Sequence, residues 1–178
     1  TRHKCATIAE AEMLADAGVR DILVAYQLVG PNLQRGVRLA QKYPDVEFST
    51  LVDHPRAVTQ LSRAVQESAN SGISINVLVD LNSGMNRTGI PIGPQAIELY
   101  EMIYSSDVLT VGGLHWYDGQ NRQRDLIERT GAVNAGWDQL IRFRDQLLLS
   151  GLPVPRLVAA GTGSFPILAD HGEPNLEL

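Results

Sequence analysis

Short apolar runs rich in β-branched residues alternate along this chain with longer stretches whose apolar residues return every three or four positions. The first kind has the length of a strand covered on both faces, the second that of an amphipathic helix. An opening run over residues 1–6 leads into Thr7-Ile8-Ala9-Glu10, the spacing of a capping box, in which hydroxyl and carboxylate satisfy the exposed amides of a helix start. That helix is expected to reach about Gly18. Residues 21–26 predict a buried strand and 32–43 a helix. The unit repeats with a strand over 46–52, Asp53 as cap, Pro55 in the first helical turn, and Val58, Leu61 and Val65 on one helix face. A strand over 75–81 follows, then a helix opened by Pro94 with Ile97, Tyr100 and Tyr104 on one stripe. Strands over 109–116 and 156–160 flank helical sequence within 123–149, and residues 175–178 begin another strand-like stretch.

Six strands alternating strictly with five helices predict an α/β fold around a parallel sheet. An open flavodoxin-like or Rossmann sheet has the same alternation. The placement of unusual residues favours a TIM-like (β/α)8 barrel, present in part. Polar and glycine-containing clusters follow the strands at Tyr26-Gln27, Asn82 to Arg87, Tyr117 to Gln120 and Gly161 to Ser164. In a barrel all four would face one mouth.

Composition narrows the partners. With 178 residues, 44% hydrophobic and 20% charged, the chain can bury a sizeable core. A net charge of -5 leaves no broad basic surface for nucleic acid, while a small anion held by a few local donors remains compatible. No apolar run has the length of a membrane span. The single Cys5 has no disulfide partner, and a cytoplasmic location is the expectation. His3, His54, His115 and His171 have no ligand spacing, so no metal site is expected among these residues. The chain lacks an initiating Met and stops within a strand-like stretch, so residues 1–178 are expected to be one barrel domain cut at both ends.

Three segments can carry chemistry. Gly161-Thr162-Gly163-Ser164 combines glycines, which let amides approach an anion, with two hydroxyls, and a phosphate would fit there; short glycine-rich turns also occur as plain turns. Asn82 to Gly89 sets Arg87 between two glycines after a buried strand, where it can present a guanidinium to a phenolate, carboxylate or phosphate, or else be a solvated turn residue. Gly113 to Gly119 puts Trp116, Tyr117 and a carboxylate at a strand end; one aromatic can stack on a planar ligand while the other plugs the core. His115, within the strand pattern, is expected to be buried and hydrogen-bonded. The lysines are Lys4, near the end of the opening strand, and Lys42, a solvated charge at a helix C-terminus.

Val77 to Gly89 resembles the "valine-aspartate-x-Gly-Met-x-Arg-x-Gly" signature of alanine racemase barrels and D-threonine aldolases. Residues 10–29 are similar to the second barrel unit of the D-threonine aldolase and D-serine dehydratase family, and Gly113 to Gly119 and Gly161 to Ser164 resemble its Tyr-(Asp/Glu)-Gly segment and phosphate loop. The resemblance implies a homodimeric enzyme with pyridoxal 5'-phosphate at the barrel mouth and a small D-amino acid as substrate. Arg87 would lie near the cofactor's phenolic oxygen and Tyr117 beside its ring, both serving catalysis, with Gly161, Thr162, Gly163 and Ser164 on the phosphate and Gln27 also at the cofactor. The implied reaction is retro-aldol cleavage of a D-3-hydroxyamino acid to glycine and an aldehyde. A D-serine dehydratase-like lyase, a racemase and a non-catalytic binding and homeostasis protein are the alternatives. The strands then correspond to the second to seventh of eight, so the Schiff-base lysine belongs upstream of Thr1, with Lys4 as the alternative. Gln120 stands where the aldolases usually have a histidine. A divalent metal of the full protein would bind through residues absent from this chain, and this chain alone is expected to be inactive.

Overall fold

The structure, a computed structural model, describes residues 2–68 and 73–178. Thr1, assigned to the opening strand by the sequence, lies outside them. The element order is β1 (Arg2–Cys5), α1 (Ile8–Asp16), β2 (Asp21–Gln27), α2 (Pro31–Lys42), β3 (Glu47–Val52), α3 (Pro55–Gln66), β4 (Ile75–Leu81), α4 (Pro94–Tyr104), β5 (Leu109–Trp116), α5 (Leu126–Leu149), β6 (Leu157–Ala159), α6 (Phe165–Ala169) and β7 (Leu176–Glu177). Strand order in the sheet is the order of the sequence, β1 to β7. The ladders joining β1 to β2, β2 to β3, β5 to β6 and β6 to β7 are parallel. Such a sequential order lacks the reversal of the flavodoxin and Rossmann sheets and is that of a partial (β/α)8 barrel.

The described residues thus contain seven strands and six helices where periodicity gave six and five. The strand-like closing stretch supplies β7, and α6 is a single short turn after the Gly161 loop, too brief for a periodic signal. Two local expectations are corrected. His54, not Asp53, caps α3, because its Nδ1 accepts the Arg56 amide at 3.0 Å. On α4 the buried stripe is Ala96, Leu99, Tyr100 and Ile103, while Tyr104 is exposed.

The chain divides into two compact units, Thr1–Leu78 with Leu99–Gly112, and Val79–Glu98 with Gly113–Leu178. In the first, Thr7 and Glu10 form the capping box that starts α1. Ile22, Leu23 and Val24 of β2 and Phe48, Leu51 and Val52 of β3 are buried. Gln27 ends β2 beyond a register shift, at the C-terminal end of its strand. In the second, the α5 residues Val133, Trp137, Leu140, Phe143 and Leu147 form the buried face of the longest helix. Trp116 fills the core against Gly136, where a Cβ would lie 3.3 Å from the indole. Gly113 is obligatory, since its φ is +120° and a Cβ there would collide with the Arg156 carbonyl.

Candidate functional site

The second unit alone brings together the loops after β4, β5 and β6. The loop after β4 is closed at its base. The Asn82 amide donates to Ile90 O and the Ile90 amide to Asp80 O, both at 2.9 Å. Inside this ring Asn82 Oδ1 accepts the amides of Gly84 (3.0 Å) and Asn86 (3.2 Å), and Asn82 Nδ2 donates to Asn86 Oδ1 (2.9 Å). Gly84 and Gly89 have φ of +101° and +97°, and at Gly89 a Cβ would lie 2.6 Å from Asn82 N. The glycines flanking Arg87 therefore let a short chain turn back on itself and carry an exposed arginine.

Arg87 meets Tyr117. Its guanidinium carbon lies 5.0 Å from the centre of the half-buried ring, within the range of a cation–π contact. Tyr117 also lies beside the loop after β6: a Cβ built on Gly161 would be 3.4 Å from Tyr117 Cε2. Arg87, Tyr117 and Gly161 thus form a continuous row. Of the two aromatics at this strand end, Trp116 is the core plug and Tyr117 the available ring.

Between the loops lies a polar staple. Ser83 Oγ donates to Tyr117 O at 2.5 Å, and Gln120 Nε2 donates to Ser83 O at 2.6 Å. Gln120, at the position where the aldolases usually have a histidine, is a structural tie with no titratable proton. Beneath it, His115 Nδ1 donates to Asp80 Oδ1 at 2.7 Å, joining β4 to β5 between two groups 5% and 3% exposed. The expected buried, hydrogen-bonded histidine is there.

The Gly161 loop divides its donors. The Gly161 amide donates to Asp118 Oδ1 at 2.9 Å, and Ser164 Oγ donates to the same oxygen. Asp118 also accepts from Asn121 Nδ2 at 3.0 Å and is 3% exposed. Ser164, expected to face a bound phosphate, is 1% exposed and turned inward. Its hydroxyl serves the carboxylate because the loop doubles back, with the amides of Ser164 and Phe165 on Gly161 O. The amides of Thr162 and Gly163 make no hydrogen bond among the described residues. Beside them stands Arg129 of α5. Its Cδ lies 3.6 Å from where a Gly163 Cβ would be, Nη1 donates to Gln123 O at 2.8 Å, and its buried Nε has no partner.

An orphaned guanidinium nitrogen beside two unused amides is a donor set for an anion. An exposed guanidinium over an available aromatic ring suits a planar anionic group. These residues therefore fit a pyridoxal phosphate, with Thr162, Gly163 and Arg129 suited to the phosphate and Arg87 and Tyr117 to the ring. Sequence reasoning singled out Arg87, Tyr117 and the glycine-rich loop, which the structure places near one another. It missed Arg129, whose exposed-looking neighbours on α5 hide its tie to a loop far along the chain.

In the first unit, Lys4 lies on β1 and is exposed. Lys42, expected as a solvated helix-end charge, pairs with Glu12 Oε1 at 2.7 Å and remains exposed. Burial, reinforced by the Glu10 carboxylate, pushes the Cys5 thiol up to about 11, so it is a poor nucleophile at neutral pH. Among the described residues no three His, Cys, Asp or Glu side chains gather into a metal cluster, and no helix is long and apolar enough to cross a membrane.

Sequentially ordered parallel strands with a donor-rich site on their following loops are the hallmark of a (β/α) barrel that binds its ligand at the strand ends. The chain belongs to the alanine racemase N-terminal domain family, which matches residues 2–173. It is 26% identical over 170 residues to the 3-hydroxy-D-aspartate aldolase of Paracoccus denitrificans (strain Pd 1222), covering 94% of this chain and 43% of that protein. It is 25% identical over 175 residues to the D-threonine aldolase of an Arthrobacter species, again over 94% and 43%. The crystal structure of D-threonine aldolase from Filomicrobium marinum superposes with a TM-score of 0.88 at 31% identity, over 97% of this chain and 46% of that one. The chain spans less than half the length of these relatives.

Proposed function

We propose that the protein containing this chain is a pyridoxal-phosphate-dependent lyase that cleaves D-3-hydroxyamino acids to glycine and an aldehyde, as a homodimer. The observation that carries the reading is the row of Arg87, Tyr117 and the Gly161 loop at adjacent strand ends, in a chain similar to two kinds of D-hydroxyamino acid aldolase. Pyridoxal phosphate, when bound, supplies the electron sink that such a bond cleavage needs.

The residues of this chain bind and orient. Arg87 would offer a planar cationic fork to the cofactor's phenolic oxygen, and its contact with Tyr117 holds the two groups together. Tyr117 is placed by its neighbours: its carbonyl takes the Ser83 hydroxyl, and its ring folds over Gly119, where a Cβ would collide with it, and lies near Gly161. The buried His115–Asp80 pair keeps β4 and β5 in step beneath the two loops. Gln27 at the end of β2 is assigned to the cofactor on its strand-end position alone. Gln120 holds Ser83 and has no titratable proton, so the base for the 3-hydroxyl is sought on another residue of the protein.

Gln120 also favours a second reading, a barrel that binds pyridoxal phosphate without turnover. One experiment separates the two. The full-length protein is loaded with pyridoxal phosphate and incubated with D-threonine. Glycine and acetaldehyde are expected; cofactor binding without product selects the second reading, an α-keto acid product indicates a dehydratase, and L-allo-threonine, inverted at Cα alone, a racemase.

A further inference from the structure

The His115–Asp80 pair lies deeper than Tyr117 but on the same face of β5. Trp116 packs on Gly136 of α5 and so points to the helix side of that strand. Side chains alternate along a strand, which turns His115 and Tyr117 to the opposite face, about 7 Å apart along the chain. Asp80 shares that face, because its Oδ1 meets His115 Nδ1 at 2.7 Å. Its carbonyl also accepts the Ile90 amide that closes the Arg87 loop. The pair therefore stands directly below the two groups that form the cation–π contact.

Joining two strands does not require these residue types. An apolar pair would fill the same space without the cost of burying ionisable groups. With Nδ1 donating to the carboxylate, the neutral ring keeps its lone pair on Nε2. That nitrogen makes no hydrogen bond among the described residues, and it is not sealed in the core as the unpartnered Gln123 Oε1 and Arg129 Nε are. A carboxylate that fixes one imidazole nitrogen and leaves the other open is the arrangement of an oriented general base. The neighbouring carboxylate is otherwise engaged: Asp118 spends its oxygens on the Gly161 amide, the Ser164 hydroxyl and Asn121 Nδ2.

We propose that His115 is the base for the substrate's 3-hydroxyl, with Nε2 the atom that takes the proton and Asp80 the positioning residue that holds the ring. The inference rests on the lyase reading above and names the proton acceptor that Gln120 is not. Nε2 takes the hydroxyl proton, and the O–H electron pair becomes the second bond of the aldehyde carbonyl. The Cα–Cβ bond breaks, its pair stays with the glycine fragment, and the proton held on Nε2 is returned to Cα, so the site neither gains nor loses a proton.

His115→Asn separates the two roles of the ring, since its amide can replace the Nδ1 donor but puts no basic nitrogen in the place of Nε2. In the full-length protein loaded with pyridoxal phosphate, this variant should lower kcat on D-threonine about a hundredfold or more, the usual effect of losing a general base. KM, pyridoxal phosphate affinity and the unfolding midpoint should stay at the wild-type level. Asp80→Asn, which keeps an acceptor for Nδ1 without its charge, should lower kcat less. In the wild type, 15N NMR of the His115 imidazole at the pH of the assay should show a protonated Nδ1 and a bare Nε2. The reverse tautomer, or wild-type turnover in His115→Asn, would overturn the proposal and leave the lyase reading intact. A loss of turnover matched by an equal loss of cofactor affinity or a lowered unfolding midpoint would mark a structural role and overturn it as well. A wild-type protein that binds pyridoxal phosphate but forms no glycine and acetaldehyde would overturn the lyase reading itself, and the proposal with it.

Discussion

The Arg87 guanidinium stands 5.0 Å from the centre of the Tyr117 ring, each residue carried by the loop that follows a different strand. Because Arg87 is exposed, Arg87→Ala should change stability by no more than about 0.5 kcal/mol. Its effect should fall on the ligand. Losing a charged donor to the cofactor costs about 1.5 to 3 kcal/mol, about ten- to a hundredfold in affinity. Arg87→Lys keeps the charge without the planar fork and should fall between. A pyridoxal phosphate titration run beside a denaturant melt checks this, and unchanged affinity in Arg87→Ala would remove the residue from the site.

The His115–Asp80 contact makes a different kind of prediction. Both groups are buried, so removing either one takes a short hydrogen bond out of the interior. His115→Ala and Asp80→Ala should each destabilise by about 1 to 3 kcal/mol. The double variant should cost clearly less than the sum, since the two substitutions remove the same buried contact. Strictly additive unfolding free energies would show that the pair is not coupled.

How much of this was legible in the sequence follows from the range of the interactions. Elements set by local spacing read correctly: the Thr7–Glu10 box is complete within four residues, and the apolar runs of β2, β4 and β5 mark strands whatever they pair with. The turn that carries Arg87 was legible because glycines stand on either side of it. The cap of α3 is ambiguous in sequence because Asp53 and His54 both carry acceptors, and in the structure it is His54 that takes the Arg56 amide. The inward turn of Ser164 was hidden because its partner, Asp118, lies 46 residues away. Arg129 was invisible for the same reason, since only folding brings α5 against the Gly163 backbone.

The α1 capping box carries a pH signature. The Ala6 amide, followed by the Thr7 hydroxyl, holds the Glu10 carboxyl below its ordinary value of 4.5. A depressed carboxyl contributes stability above its unfolded value and loses it as pH falls through the folded one. Glu10→Gln should therefore be less stable than the wild type at pH 7, with the gap closing in acid below the ordinary carboxylate range. Thr7→Ala should cost about 1 kcal/mol, as loss of an N-cap does. Unfolding midpoints across pH decide it, and a gap that stays constant into acid would contradict the sign.

Two glycines to alanine in the second unit should move in opposite directions. Gly131 is exposed in the second turn of α5, where a Cβ meets nothing within 4 Å. There alanine removes backbone freedom from the unfolded chain and should stabilise by about 0.5 to 1 kcal/mol. At Gly163 the same methyl group meets the Asn121 carbonyl oxygen, a backbone atom that moves only if the Asp118–Asn121 turn moves with it. Gly163→Ala should therefore destabilise, by about 1 to 3 kcal/mol as other overpacked sites do, and displace the Thr162 and Gly163 amides. Thermal melts of the two variants give the signs. Pyridoxal phosphate affinity should fall in Gly163→Ala and stay at the wild-type level in Gly131→Ala. If Gly163→Ala proved as stable and as avid as Gly131→Ala, the close approach of these two loops would not exist in solution.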